Sequence, residues 1–331
     1  MLRTFTALLV FAAMVSAAAA VHANDGAAER AAGGLVFKQN DDVDMVSEDL
    51  FISVTEVRVR YVFRNRTPRD TRITVAFPLP DYDLTEPQEG DVVWPSDFET
   101  RVDGRPVRTQ VERKAILRGV DQSALLTGLG VPIVYQGGDP ARETAAWEAL
   151  QALSGEGRQR LVASGLVREI PAENGRTSLE PLWTVKETWY WDQVFPAGRD
   201  VVIEHRYQPG AGGIVATALA IPSLRQSPDG QARIARYCMD SAFLGAIDRI
   251  AQREGTEIPS ISETWVSYIL TTGAGWRSPI GEFRLVVEKQ RPEDLVSFCG
   301  EGVRRISPTQ FEMRRRDWRP DRNLDVLFLR P

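Results

Sequence analysis

Along residues 50–64 apolar and polar side chains alternate: Val57, Val59, Tyr61 and Phe63 fall on one side, Glu56, Arg58 and Arg60 on the other. A repeat of two is the mark of a half-buried strand. Residues 65–70, with Pro68, read as a turn, and residues 71–77 resume the alternation at Ile73, Val75 and Phe77 until Pro78 and Pro80 stop it. The expected product is a pair of antiparallel strands. A second hairpin is expected where Phe98, Thr100 and Val102 lead into Asp103-Gly104 and Val107, Thr109 and Val111 lead out. Asp-Gly between alternating runs readily adopts the positive φ angles of a two-residue turn.

The period lengthens over residues 140–167, where Ala145, Trp147, Leu150, Leu153, Leu161 and Val162 recur at helical intervals with a break near Ser154-Gly155. Two short helices inserted between strands are expected there. Gly128, Gly130, Gly137 and Gly138 mark the preceding segment as an exposed loop. Strand character returns over residues 183–191, and Phe195-Pro196-Ala197-Gly198-Arg199 reads as a turn into Val201, Ile203, His205 and Tyr207. Residues 229–253 hold the best helix, with Ile234, Tyr237, Cys238, Phe243, Leu244, Ile247 and Ile250 on one stripe. Further strands are expected at 265–271, 283–288, 295–298, 311–315 and 324–329. Short strands between turn residues predict a mainly β fold with inserted α-helices, in two β-sandwich-like parts. The corresponding division is an N-terminal β-rich domain over 24–210, with its helical insertion around 140–167, and a helix plus β-sandwich part over 211–331.

Residues 1–23 alter this picture. Arg3 supplies a positive start, residues 7–15 an apolar run, and Val21-His22-Ala23 the small-x-small pattern that a signal peptidase accepts. The expectation is a leader cleaved after Ala23 and a periplasmic or secreted protein. The alternative is an uncleaved anchor, for which the Ala-rich stretch is barely long enough. No later segment approaches the ~20 apolar residues of a spanning helix. Removing 23 residues from 331 leaves 308, enough for about two domains. The net charge of −5 becomes −6 when Arg3 leaves, which offers no general attraction to nucleic acid.

The mature chain then keeps a single histidine, His205, and two cysteines, Cys238 and Cys299. In an oxidising compartment an isolated pair is expected as a disulfide closing a loop of about 60 residues, the alternative being two buried thiols. One His and two distant Cys are too few for a standard zinc site, and no cofactor is expected. His205 shares its strand's inward parity, and no Gly-x-Ser-x-Gly elbow accompanies it, so it reads as a satisfied, half-buried strand residue, with a catalytic base as the alternative. Asp41, Asp42, Asp44, Glu48 and Asp49 form the densest acidic run, which reads as a solvated loop or a loose calcium site without EF-hand spacing.

Two groups are candidates for binding a ligand or partner. Trp189 and Trp191 share one face of their strand and serve either as core or as exposed anchors. Arg314, Arg316 and Arg319, with Trp318, suit an acidic glycan or acidic partner surface, while alternation along a strand and pairing with Asp317, Asp321 and Asp325 is the structural alternative.

Several motifs resemble one exported bacterial family, catalogued as domain of unknown function 4424. They are Asn24-Asp25-Gly26-Ala27-Ala28, Gly33-Gly34-Leu35-Val36-Phe37, Ser47-Glu48-Asp49-Leu50-Phe51-Ile52, Ala76-Phe77-Pro78-Leu79-Pro80, Phe195-Pro196-Ala197-Gly198 and His205-Arg206-Tyr207-Gln208-Pro209. The resemblance implies a secreted or periplasmic Gram-negative protein and supplies no catalytic residues. Export and scarce catalytic groups together favour binding of an envelope protein or glycan over chemistry, with a carboxylate-dependent hydrolase of envelope glycans as the alternative.

Overall fold

The computed structural model describes residues 25–31, 34–84, 95–133, 140–171, 177–255 and 259–331. The expected leader, its cleavage point, and Gly137 and Gly138 lie outside the described residues. The fold is mainly β, with several sheets and inserted helices.

An eight-stranded sheet has the spatial order Arg304–Arg305, Gln310–Trp318, Ile280–Glu288, Val43–Ile52, Val57–Asn65, Asp200–Gln208, Ser96–Val102 and Arg105–Pro106. All its pairings are antiparallel except the third, where Val43–Ile52 runs parallel to Ile280–Glu288. A seven-stranded sheet contains Gly26–Ala31, Thr71–Pro78, Gln110–Leu117 and Thr184–Phe195 among its strands. A four-stranded sheet orders Ala211–Ile214, Ser262–Tyr268, Leu324–Arg330 and Leu295–Phe298.

Alternation places Val57, Val59, Tyr61 and Phe63 in the core, all at most 2 % exposed. Burying each such side chain contributes roughly 1.5–3 kcal/mol. The three sheets meet in one apolar cluster that includes Phe77 and Trp191, Phe63 and Leu285, and Val326 and Phe328. The four-stranded sheet is covered on its other side by the helix Ser241–Glu254, so Leu327 and Leu329 pack in a second cluster with Ile247 and Tyr237. Burial on both faces explains why Leu324–Arg330 reads as a nearly continuous apolar run. Helices Pro140–Gln151 and Gly155–Ser164 build a third cluster, with Leu150 and Leu161 against Leu179. The segments 24–210 and 211–331 therefore share a sheet and a core, since Ile280–Glu288 is hydrogen-bonded to Val43–Ile52.

Several local expectations are corrected. Val57–Asn65 and Thr71–Pro78 are not a hairpin: the first lies in the eight-stranded sheet, the second in the seven-stranded one. The intervening turn is largely exposed, passes from one sheet to the other and is held by buried Asn65, whose Nδ2 donates to Arg69 O at 2.8 Å and to Phe195 O at 2.8 Å. Chain segment 196–199 crosses back beside it, tied by Ala197 N to Asp70 Oδ1 at 2.9 Å. The Asp103-Gly104 turn does form with positive φ at both residues, but its return strand is only Arg105–Pro106 before Gln110–Leu117 joins the other sheet.

The helix expected over 229–253 is two helices, Pro228–Arg236 and Ser241–Glu254. Cys238 adopts a left-handed φ of 51° between them, and Asp240 caps the second by accepting from Phe243 N at 2.7 Å. The glycine-rich segment includes a short helix, Ser123–Gly128, with Leu126 buried.

Of the acidic run only Asp41 and Asp42 lie in a bend ahead of the strand. Asp44, Glu48 and Asp49 belong to the strand Val43–Ile52, where Asp44 and Glu48 are buried. Burial pushes the Asp44 carboxyl up, but hydrogen bonds from Arg66, Ser278 and Arg277 outweigh it and hold the group below its ordinary value.

Candidate functional site on the charged sheet face

The outward-facing residues of the eight-stranded sheet line up across strands. One row reads Arg314, Arg284, Asp49, Arg60, Glu204, Arg101, each opposite the next on a neighbouring strand. At about 4.8 Å per strand the row is about 24 Å long. Two residues further along, the next row reads Glu312, Val286, Phe51, Arg58, Arg206, Glu99. Opposite charges facing one another across strands stabilise a sheet, and like charges oppose it.

One end of this face is locked. Glu312 is 3 % exposed and accepts from Arg284 Nε at 2.8 Å, Arg314 Nη2 at 3.0 Å and Arg304 Nε at 2.9 Å. Hydrogen bonds from Arg314, Arg284 and Arg304 hold its carboxyl well below the usual carboxylate range. Arg284 also bridges to Asp49 at 3.1 Å.

The other end is looser. A groove of about 600 Å³ opens over Arg58, Arg60, Arg101 and Arg206, with Phe51 and Val286 giving it an apolar stretch and Asp49, Glu99 and Glu204 its carboxylates. Arg58 lies over the Phe51 ring at 4.3 Å, and Glu56 bridges Arg58 at 3.0 Å and Arg206 at 2.5 Å. That bridge offsets the repulsion of Arg58 and Arg206, which are directly opposed. Arg60 reaches Glu204 only at 3.9 Å. Arg101 and Glu99, both exposed, make no ion pair or side-chain hydrogen bond with another described residue.

The sequence-derived candidates divide between this face and the interior. Arg314 belongs to the ladder, and Arg316 faces the same way, 4.0 Å from Glu282. Asp317 has a φ of 47° and interrupts the alternation, so Trp318 turns toward Phe283, ring centroids 4.6 Å apart. Arg319 donates to Ala274 O at 2.8 Å. Trp191, in the seven-stranded sheet, is 3 % exposed and is core, not an exposed anchor. Its neighbour Trp189 is partly buried, stacks on Phe98 at 4.8 Å and donates to Glu187 at 2.9 Å. The tryptophan pair and the arginines are therefore not brought together. Cys238 and Cys299 form a disulfide.

His205 occupies a closed polar network between the sheets. Its Nδ1 lies 3.0 Å from Thr100 Oγ1 and its Nε2 3.1 Å from Asp25 Oδ1. The connectivity is that of a nucleophile, base and carboxylate, but all three residues are buried and Phe98 stacks on the imidazole at 5.2 Å. Burial pushes the Asp25 carboxyl up, against the pull of His205. Tyr61 and Tyr268 share a 2.8 Å hydrogen bond, and burial pushes both hydroxyls well above their ordinary range. All three side chains are buried, and the network ties Asp25 to the strands that carry Thr100 and His205.

A family profile described as a domain of unknown function, DUF4424, matches residues 23–327. The chain belongs to this DUF4424 family. No curated protein matches it. Among solved structures it is similar to a Legionella pneumophila protein provisionally described as a nutrient binding protein, with 16 % identity and a TM-score of 0.42, over 88 % of this chain and 68 % of that one. The family match spans both the buried network and the charged face, from Asp25 through Arg314.

Among the described residues no helix is long and apolar enough to cross a membrane, and no three His, Cys, Asp or Glu side chains converge in a way that would hold a metal ion. The residues of the groove were visible in sequence only as the polar half of alternating strands. Their convergence depends on pairing between residues as far apart as Asp49 and Arg284, and no spacing in the sequence reports it.

Proposed function

We propose that this is an exported, periplasmic protein of the cell envelope that binds a ligand or partner through the groove on its eight-stranded sheet. The groove carries the reading: it has the volume of a ligand site, and Arg60 and Arg101 offer donors that the protein itself leaves largely unused. The leader-like residues 1–23 and the disulfide support export. Trp189, Trp191 and Trp318 act in packing under this reading, while Arg314 and Arg316 extend the charged face.

Photocrosslinking in living cells tests it, with a photoreactive residue placed at Glu99 and a control at Val215, which is 86 % exposed just past the end of the strand Ala211–Ile214. The expected result is a discrete adduct from Glu99 alone, recovered from the periplasmic fraction on protein lacking residues 1–23. Indistinguishable adducts from both positions would remove the groove as the binding site.

One observation favours a hydrolase of envelope glycans as a second reading. Glu99 and Glu204 are diagonal neighbours on adjacent strands, roughly 7 Å apart at Cβ, from where their flexible side chains can reach the separation of an inverting carboxylate pair. Both are open to water, whereas a carboxylic acid catalyst is normally kept protonated by burial. Release of new reducing ends from a glycan, abolished by E204Q, would establish this reading over pure binding.

A further inference from the structure

We infer that the groove takes an acidic saccharide, a sugar chain bearing carboxylate or phosphate groups, and that Arg60 and Arg101 hold its anionic group. The inference rests on the groove being the binding site and adds the class of ligand.

Charge gives the first argument. The chain carries a net −5, yet the groove gathers five arginines, at 58, 60, 101, 206 and 284, against three carboxylates, Asp49, Glu99 and Glu204. With Glu56 and Glu312 beside the groove the whole face is close to balanced, so it is the arginines without a strong partner that draw an anion. Within it the arginines are not equivalent. Arg284 is committed to Asp49 and Glu312, and Arg58 and Arg206 to Glu56. Arg60 and Arg101 flank Glu204 on adjacent strands, the first at 3.9 Å from it and the second unpaired among the described residues. Two planar guanidinium forks about 10 Å apart, two strand spacings, can close on one oxyanion from either side by side-chain rotation.

The carboxylates give the second argument. Glu99, Glu204 and Asp49 would repel the side chains of an acidic peptide, since like charges within a few ångström cost free energy. Sugar hydroxyls reverse that preference: each is a donor that a carboxylate accepts and an acceptor that a guanidinium can satisfy. A face that alternates arginine with carboxylate along a row therefore suits a ligand that alternates hydroxyls with an occasional anionic group. The part of the row that lines the groove, Arg284 to Arg101, is open and about 19 Å long, which suits a chain of several sugar rings. Phe51 and Val286 lie in the same groove where the apolar face of a ring can rest.

Calorimetric titration of the mature full-length chain tests the inference, using hexagalacturonate, its methyl ester, a phosphorylated hexamannose and hexaglutamate as probes. Binding of hexagalacturonate or the phosphorylated hexamannose is expected, and which of them binds distinguishes carboxylate from phosphate. The methyl ester and hexaglutamate should bind at least about tenfold more weakly, and R60A and R101A should each weaken the charged saccharide about tenfold. Rising salt should weaken it too. Both variants should melt with the wild type, because neither arginine is held by a strong internal pair.

The inference is overturned if hexaglutamate or the neutral ester binds as tightly, if R101A binds unchanged, or if neither charged saccharide binds. Failure of both saccharides while the Glu99 crosslink persists would reject the ligand class and leave the groove as the site. Loss of the crosslink as well would reject both.

Discussion

On the inner face of the Asp200–Gln208 strand, His205 is 2 % exposed, bonded on both nitrogens and walled by Phe77, Phe98 and Trp191. One residue to either side, Glu204 and Arg206 stand on the outer face in water, among groups of the same ionisable kinds. Inside, every polar group costs desolvation and is tolerated because neighbours fix its position. Outside, solvation is already supplied, so pairing is loose and donors remain for a ligand. The sheet thus separates a face that specifies the fold from one that can be changed with little effect on it. A histidine that looks catalytic by its bonds belongs to the first face, and arginines that look merely solvated belong to the second.

The largest test of this division lies within the core. Phe63 is fully buried, with ring contacts to Phe195 at 5.8 Å and Trp276 at 4.6 Å. Phe63→Ala should cost about 3–5 kcal/mol in urea denaturation. A loss below 1 kcal/mol would mean that the inner face is not close-packed. Replacing Cys238 and Cys299 together by serine should cost about 2–5 kcal/mol, because the bond closes a loop of 61 residues and restrains the unfolded chain. Thiol alkylation of the native protein without reductant should label neither cysteine; labelling of both would show that the bond is absent.

Glu312 is the intermediate case, a buried carboxylate on the outer face. Glu312→Gln should cost about 1 kcal/mol at neutral pH, discounted because its arginine partners are largely solvated. Its folded pKa is depressed, so its contribution is fully present above the ordinary glutamate value and is lost as pH falls through the folded one. Melting temperature of the native protein should therefore decline as pH drops below about 4, and the variant should show a shallower decline. Equal slopes would mean that other carboxylates carry the acid sensitivity. The smallest effect is expected at Arg101, where Arg101→Ala should change stability by less than about 0.5 kcal/mol. A larger loss would move that residue from the binding face to the structural one.

Much of the first face was legible in sequence, because period-two alternation at Val57 to Phe63 reports burial directly. Sheet membership was not. The turns at 66–70 and 196–199 have ordinary turn composition, and what makes them crossings is Asn65 reaching Phe195 O, 130 residues away. The 229–253 helix misled because its apolar stripe continues across the Cys238 kink, where one capping aspartate, Asp240, restarts the helix. Trp189 and Trp191 show the limit of periodicity, which places two rings on one side without saying which side is wet. The groove was hidden for the same reason in reverse. Each strand announced an outward row of charges, but only the register across three adjacent strands sets Arg101 and Arg60 on either side of Glu204.

The parallel pairing in the eight-stranded sheet also sets a schedule. Asp49 and Arg284 are 235 residues apart, so at bacterial synthesis rates the strand Val43–Ile52 exists for on the order of tens of seconds before its parallel neighbour is made. Throughout that interval one side of its backbone is an open edge, the kind of surface that recruits a strand from another chain. Glu48 and Asp49 lie along that edge, where a second copy would bring the same charges against them. Until the late strand arrives these carboxylates would oppose such pairing, and afterwards they are part of a finished sheet.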